Sequence, residues 1–266
     1  MTPSFDAGEL ASIVDAAARQ AQALAGSPFL IAYKDDRSPV TAVDRAVDTF
    51  LKRELSLLLP GSGWLSEETV DEPSRLARDC VWIVDPIDGT QQLIRRIPEI
   101  AISIGLVAEG QVVAAAVANP MTGERGVWVA GGAPVFERLE ARAVPDSLEA
   151  AEAIVSRSET EDGTLEALTG LVGRTRPVGS VAYKLLRVAA GADALTYSIR
   201  PKFEWDICGG VGLLLGAGRV YLRLDGAPLR FNQADPRVPS GGVAGPEPLA
   251  SALRKRIAHL GLPPKS

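Results

Sequence analysis

The 266-residue sequence predicts a layered α/β protein made of two closely packed lobes. Three observations point there. The chain opens with two amphipathic helical patterns, continues into short β-branched runs separated by turn signals, and beyond about residue 148 alternates strand-like with helix-like stretches. A hydrophobic fraction of 46% allows a large core and excludes a disordered chain.

Taken in order, Leu10, Ile13, Val14, Ala17, Ala18, Ala21 and Leu24 recur at helical spacing, so a helix is expected over roughly 6–25. A second is expected after Thr41, with Val43, Val47, Phe50, Leu51, Leu55 and Leu58 on one face and Pro60-Gly61 as its stop. Strands are expected near 81–85, 100–108, 111–118 and 126–130, paired largely as antiparallel neighbours. The apolar stretch from Ile100 to Ala118 is broken by Glu109-Gly110-Gln111, which makes it a hairpin rather than a membrane span. Gly131-Gly132 through about Leu148 reads as a connection, dividing the chain into an N-terminal α+β lobe over 1–131 and a C-terminal α/β lobe over 132–266. The second lobe should hold strands near Ile154-Val155, Leu195–Tyr197 and Val220–Leu222, with helices from Val181 to Ala190 and after Asp206.

Composition removes several function classes. A net charge of −5 without any basic run argues against a nucleic acid polymer as partner. The N-terminus lacks a basic segment followed by an apolar core, and Cys80 and Cys208 have no C-x-x-C spacing, so reduced thiols and a cytoplasmic location are expected. His259 is the one histidine and sits in a basic C-terminal helix, which argues against Ser-His-Asp catalysis, Cys-His catalysis and an ordinary zinc site. Neither cysteine is followed six residues later by arginine, so a thiolate phosphatase loop is absent.

The segment Val84-Asp85-Pro86-Ile87-Asp88-Gly89-Thr90 carries the most chemistry. It follows the apolar run Cys80–Val84, so Asp85 and Asp88 stand at the carboxyl end of a buried strand. Pro86 and Asp88-Gly89 are turn signals that free the Ile87 carbonyl from a regular ladder. Two carboxylates and a carbonyl are hard oxygen donors that suit Mg²⁺, and Thr90 with the first amides of the following helical stretch can meet a phosphate oxygen. A turn closed by two aspartates is the plain structural alternative. Asp44, three residues after Thr41, has capping-box spacing; Glu67-Glu68 follow an apolar pair; Asp206 opens a helix. All lie at element ends, where phosphoryl transfer needs cations and an oriented water. The Asp85-x-x-Asp88 spacing is one residue longer than the Asp-x-Asp pair of the aspartyl-phosphate haloacid-dehalogenase phosphatases, which favours activated water.

Glu67-Glu68, Trp82-Ile83-Val84-Asp85-Pro86-Ile87-Asp88-Gly89-Thr90 and Trp205-Asp206, in this order and at these separations, resemble the inositol monophosphatase superfamily of Mg²⁺-dependent phosphatases, over about Lys34 to Asn232. The resemblance implies an αβαβα sandwich, usually a homodimer, and a small phosphorylated metabolite as substrate. It also implies that Glu67, Asp85, the Ile87 carbonyl, Asp88 and Asp206 bind metal, that Asp44 and Thr90 orient and deprotonate the attacking water, with Glu67 grouped among the catalytic residues, and that the Gly89 and Thr90 amides hold the phosphate. Within the superfamily, Lys34–Thr41 with Asp44, Leu65-Ser66-Glu67-Glu68, Val155-Ser156-Arg157-Ser158, Gly179-Ser180 with Lys184, and Glu204-Trp205-Asp206 look like the enzymes that remove the 3′-phosphate of adenosine 3′,5′-bisphosphate. Ser180 and Lys184 offer a hydroxyl and a cation for a second phosphate, with a surface lysine on an amphipathic helix as the plain alternative.

Gln91-Gln92-Leu93 stands where Thr-Asn-Phe or Lys-Glu-Phe is usual, and Gly216-Ala217-Gly218-Arg219 where Glu-Ala-Gly-Gly is usual. The distance from Gly179-Ser180 to Val188-Ala189-Ala190-Gly191 matches the monophosphatase pattern, so an inositol monophosphatase or broad sugar-phosphate phosphatase stays open beside the nucleotidase. A catalytically silent phosphate-binding protein is the alternative of a different class; it has no use for Asp44 and Thr90 beside a metal set.

Overall fold

The computed structural model describes residues 3–33 and 39–261. The Lys34–Ser38 part of the nucleotidase resemblance lies outside them. Among the described residues the helices are α1 (Ala7–Ala25), α2 (Ala42–Leu58), α3 (Thr90–Ile94), α4 (Arg157–Glu161), α5 (Val181–Ala189), α6 (Glu204–Gly216) and α7 (Glu247–His259).

Helix α1 starts where Asp6 accepts from Glu9 N at 2.9 Å and Glu9 accepts from Asp6 N at 3.0 Å, a reciprocal cap that satisfies two orphan donors. It buries Leu10, Val14, Ala17 and Ala21, while α2 buries Val43, Val47, Leu51 and Leu55. Both stripes lie on one face of a six-stranded sheet ordered Gly63–Ser66, Cys80–Asp88, Ala101–Ala108, Gln111–Ala118, Arg125–Val129, Val135–Glu137, and share a core with Trp82, Ile102 and Ile104. Only the first pair is parallel.

The other face carries Val81, Ile83, Ala115 and Val117, and meets α5 and α6 in a second core that also takes Ile154, Val178 and Ala244 from a second sheet. That sheet runs Arg174–Val178, Glu152–Ser156, Leu195–Ser198, Gly242–Gly245, Val220–Arg223, its first three strands parallel. Beyond it α7 contributes Leu249, Ala250, Leu253 and Ile257 to a third core with Val155, Leu195 and Val243. The second core fills both sides of the α5/α6 layer, so three cores join five layers in an αβαβα order. Each fully buried aliphatic side chain in them contributes about 1.5–3 kcal/mol by leaving water.

The strand Val135–Glu137 pairs with Arg125–Val129 and so extends the first sheet beyond residue 131, into the segment read as a connection. Further strands were not expected, among them Gly63–Ser66, Arg174–Val178 and Gly242–Gly245 in the two large sheets and two short two-stranded ribbons. Helix α6 begins at Glu204, ahead of Asp206. Among the described residues no helix is long and apolar enough to cross a membrane.

Candidate active site

The site grows from the end of one buried strand. Antiparallel pairing aligns Val84 with Ile104 and Asp85 with Ser103, then slips before Asp88 reaches Ala101, so the ladder opens where the acids stand. Pro86 has no N–H to offer a ladder, and Ile87 N closes instead onto Asp85 Oδ1 at 3.0 Å. Gly89 turns the chain at φ 103°, and a Cβ there would meet the Glu99 carbonyl at 3.1 Å. On the other side the parallel strand aligns Ser66 with Val84, so Glu67 emerges level with Asp85, its N–H donating to the Val84 carbonyl at 3.3 Å. Asp48 grips both flanks of Glu67-Glu68, accepting from Ser66 Oγ at 2.5 Å and Thr69 Oγ1 at 2.7 Å.

Asp206 arrives with α6 by close backbone approach. A Cβ on Gly209 would meet Ser103 Oγ at 2.7 Å and Ile104 backbone atoms at 2.9 and 3.0 Å; one on Gly105 would meet Cys208 Sγ at 2.3 Å. These glycines let α6 lie directly on the strand that pairs with Asp85. Ser103 Oγ donates to the Trp205 carbonyl at 3.2 Å, and Asp206 Oδ2 accepts from Phe203 N at 2.8 Å. The Gly209-Gly210-Val211-Gly212 run therefore serves helix packing.

Asp44 and Thr90, 46 residues apart, join in one hydrogen bond, Thr90 Oγ1 to Asp44 Oδ1 at 2.7 Å. The other Asp44 oxygen accepts from Thr41 N at 2.9 Å, so the capping role and the contact with Thr90 coexist in one carboxylate that is 1% exposed. Thr90 Oγ1 also lies 3.2 Å from the Ile87 carbonyl.

Asp88 is held from the N-terminal end of α5. Its Oδ2 accepts from Ser180 Oγ at 2.8 Å and from Ala182 N at 2.6 Å. Ser180 caps α5 through Tyr183 N at 3.0 Å while standing at φ 54°, a strained value for serine. Lys184 is 3% exposed, and its Nζ donates to the Ser180 carbonyl at 2.7 Å and the Val178 carbonyl at 3.2 Å. Ser180 and Lys184, expected as contacts for a second phosphate, are engaged by the protein itself, and Lys184 is not the surface lysine of the plain alternative. Burial pushes the Lys184 ammonium down to about 8, with Asp88 opposing the shift. Glu99 completes the turn by accepting from Gly179 N at 2.7 Å and from Arg157.

Electrostatically the acids form one unit. Burial, then Glu67, Asp88, Asp206 and Asp44, push the Asp85 carboxyl well above the usual range. Burial, then Asp88, push Asp206 up to about 8 despite the Phe203 amide, with Glu67 adding to the rise. No three His, Cys, Asp or Glu side chains among the described residues already close into a finished metal cage. The fit to a metal rests on the donor chemistry: mutually repelling carboxylates, one of them fully buried, plus the Ile87 carbonyl form an all-oxygen set that a hard divalent cation would neutralise. The reading of the sequence missed Asp48, although it follows Asp44 by four residues on the same helix face, and missed Glu99, for which no local pattern exists. His259 Nδ1 donates to the Lys255 carbonyl, 2.6 Å away, far along the chain from these acids.

The inositol monophosphatase family model matches residues 6–259. A 3′-phosphoadenosine 5′-phosphate phosphatase from Mycobacterium bovis is 34% identical over 209 residues, covering 74% of each chain. An inositol monophosphatase 2 from Solanum lycopersicum is 30% identical over 204 residues, 71% of this chain and 76% of that one. The crystal structure of extragenic suppressor protein suhB from Bartonella henselae, 24% identical, superposes with a TM-score of 0.77 over 93% of this chain and 96% of that one. Fold and relatives together define a phosphoric monoester hydrolase of a metal-dependent class. The chain belongs to the inositol monophosphatase family.

Proposed function

We propose that the chain is a Mg²⁺-dependent phosphomonoesterase that removes the 3′-phosphate of adenosine 3′,5′-bisphosphate by attack of an activated water. The observation that carries the catalytic part is the Asp44–Thr90 hydrogen bond at 2.7 Å beside the Asp85/Asp88 turn, a base and a hydroxyl joined next to a set of cation ligands. In this reading Glu67, Asp85, the Ile87 carbonyl, Asp88 and Asp206 hold Mg²⁺, which when bound stabilises charge on the phosphoryl oxygens and lowers the pKa of water. Thr90 Oγ1, ordered by Asp44, orients the water and passes its proton toward the Asp44 carboxylate. The Gly89 and Thr90 amides, in the first turn of α3 where no intrahelical acceptor exists, hold the phosphate. Ser180 and Lys184 act on substrate indirectly, by fixing the turn that orients Asp88.

The nucleotide is favoured by Phe203 and Trp205, whose rings stack at 4.6 Å and 7° next to Asp206, with Phe203 42% exposed. A flat aromatic pair at that position suits a purine better than a polyhydroxylated ring. The Mycobacterium bovis relative, named for such a nucleotide, supports the same choice, while the tomato relative keeps inositol phosphates as the second reading. A homodimer and a cytoplasmic location belong to this proposal; Cys80 and Cys208 are buried outside any disulfide, as a reducing compartment would allow.

The test is phosphate release from adenosine 3′,5′-bisphosphate, inositol 1-phosphate and fructose 1,6-bisphosphate, each with and without Mg²⁺. The nucleotide should have the highest kcat/KM, and only with the cation. Equal or better turnover of the inositol ester would overturn the nucleotidase choice, and bisphosphate binding without release at any Mg²⁺ concentration would favour a silent binder.

A further inference from the structure

Glu67 and Asp206 come from segments far apart in the chain, and one buried side chain outside the acid set joins those two segments. Arg75, in the short helical turn Pro73–Ala77, is 2% exposed. Its guanidinium takes both oxygens of Asp71, Nε to Oδ1 at 2.6 Å and Nη2 to Oδ2 at 2.9 Å. The rest of the fork reaches across the molecule, Nη1 donating to Asn232 Oδ1 at 2.6 Å and Nη2 to the Gln233 carbonyl at 2.9 Å. Four donated bonds from one planar group need the rigid arginine fork, which a lysine does not have.

Each end of this connection is tied to one of the acids. On the first side, Asp71 follows Glu67 by four residues. Gly63 opens the strand that ends at Ser66, and a Cβ there would meet Arg75 Cβ at 3.1 Å and Arg75 Cα at 3.2 Å. Arg75 therefore lies against the root of the strand that delivers Glu67. On the other side, Glu204 opens α6 two residues before Asp206 and is 1% exposed. Its carboxylate accepts from Asn232 N at 2.6 Å and Gln233 N at 2.9 Å, and its own N–H donates to the Pro236 carbonyl at 2.9 Å. Asn232 turns the chain at φ 59°, where its amide meets Glu204 and its side chain meets Arg75. Buried Phe231 anchors the same segment in the second core, its N–H donating to the Gly110 carbonyl at 3.1 Å.

We propose that Arg75 is a positioning residue that fixes the separation of Glu67 and Asp206, through Asp71 on one side and Asn232, Gln233 and Glu204 on the other, and so sets how tightly the site takes Mg²⁺. This role rests on the reading of Glu67 and Asp206 as ligands of that cation. The sign of the effect separates it from plain electrostatics. Removing a cation near clustered acids would tighten a divalent ion if charge alone acted, whereas losing the connection loosens it. Mg²⁺ alone is titrated by calorimetry into the full-length protein without substrate, and into Arg75→Gln and Asn232→Gly; glycine adopts the Asn232 backbone freely, so that variant keeps the fold. The Kd should rise about tenfold in Arg75→Gln, rise in Asn232→Gly, and be no higher in the double variant than in Arg75→Gln, since both cut one connection. Should Arg75→Gln fail to fold by circular dichroism, Asn232→Gly carries the test alone. A purely structural arginine would lower the urea midpoint and leave the Kd of the folded variants at the wild-type value; that result, or a tighter Kd, overturns the proposal. Asp206→Asn separates the two readings. Mg²⁺ binding weakened there but unchanged in Asn232→Gly removes the positioning role alone, and no saturable Mg²⁺ binding by the wild type removes both.

Discussion

Ser180 carries two loads at once, and comparing its alanine and glycine replacements separates them. Its hydroxyl donates to Asp88 at 2.8 Å and accepts from Tyr183 N at 3.0 Å, while its backbone stands at φ 54°. Ser180→Ala loses the helix cap, costing about 0.5–2 kcal/mol, and the bond to a carboxylate, about 1.5–3 kcal/mol. Because Asp88 keeps the Ala182 amide at 2.6 Å, the lower part of that range is expected, a net loss of about 2–3 kcal/mol. Ser180→Gly loses the same hydroxyl, yet glycine is nearly as good at a cap and relieves strain of about 1–3 kcal/mol. The glycine variant should therefore unfold at higher urea than the alanine variant, by at least about 1 kcal/mol in ΔG. Both should lose kcat/KM by a similar factor of about ten, since both deprive Asp88 of the same donor. Equal urea midpoints would refute the strain argument, and a wild-type kcat/KM in either variant would refute the claim that the hydroxyl orients Asp88.

Asp88→Asn should lower kcat by at least about 10²-fold, because a ligand charge beside the transferring phosphoryl group is lost; steady-state turnover at saturating Mg²⁺ decides. Gly209→Ala should destabilise by about 1–3 kcal/mol, since its Cβ meets Ile104 backbone that cannot yield, and should depress kcat further by lifting Asp206; calorimetric Tm and turnover test both. Lys184 titrates at about 8 when folded against 10.5 unfolded, so from pH 8 to 10.5 the unfolded chain holds the extra proton and stability should rise with pH. That rise should vanish in Lys184→Met, measured as urea midpoints at pH 7.5 and 9.5; an identical rise in the variant would place it elsewhere. Glu99 feels burial upward but Arg157 and the Gly179 amide more strongly downward, so its contribution is present above its unfolded value of 4.5 and lost as pH falls below. Glu99→Gln should flatten the acid limb of stability.

The first lobe was readable because its signals are local. Helical periodicity over α1 and α2 and the turn at Glu109-Gly110 needed only neighbouring residues, and the acids of the Asp85–Thr90 turn lie within six positions of one another. What escaped depends on partners far along the chain. Arg174–Val178 carries Pro177 and alternating arginines and becomes a strand only because Glu152–Ser156 lies beside it in register. Gly242–Gly245 has almost no side-chain signal, yet it is paired on both edges. Lys184 reads from the sequence as a cation open to substrate or to solvent, because the periodicity of α5 does not reveal that both faces are covered, one by each sheet. The Asp44–Thr90 contact was expected from family resemblance alone; spacing within the sequence shows only the cap.

The seam between α6 and the strand Ala101–Ala108 is closed at two glycines, Gly209 against the Ile104 backbone and Ser103 Oγ, and Gly105 against the Cys208 side chain. Where side chains fill a gap, evolutionary drift can exchange one shape for another and let the elements slide by fractions of an ångström. Here neither Gly105 nor Gly209 can take a larger side chain without moving its neighbours. The spacing between Asp206 and Asp85 is consequently held at these two close approaches, so substitutions that remodel the mouth of the cleft for a different ester can accumulate without moving the acids beneath it.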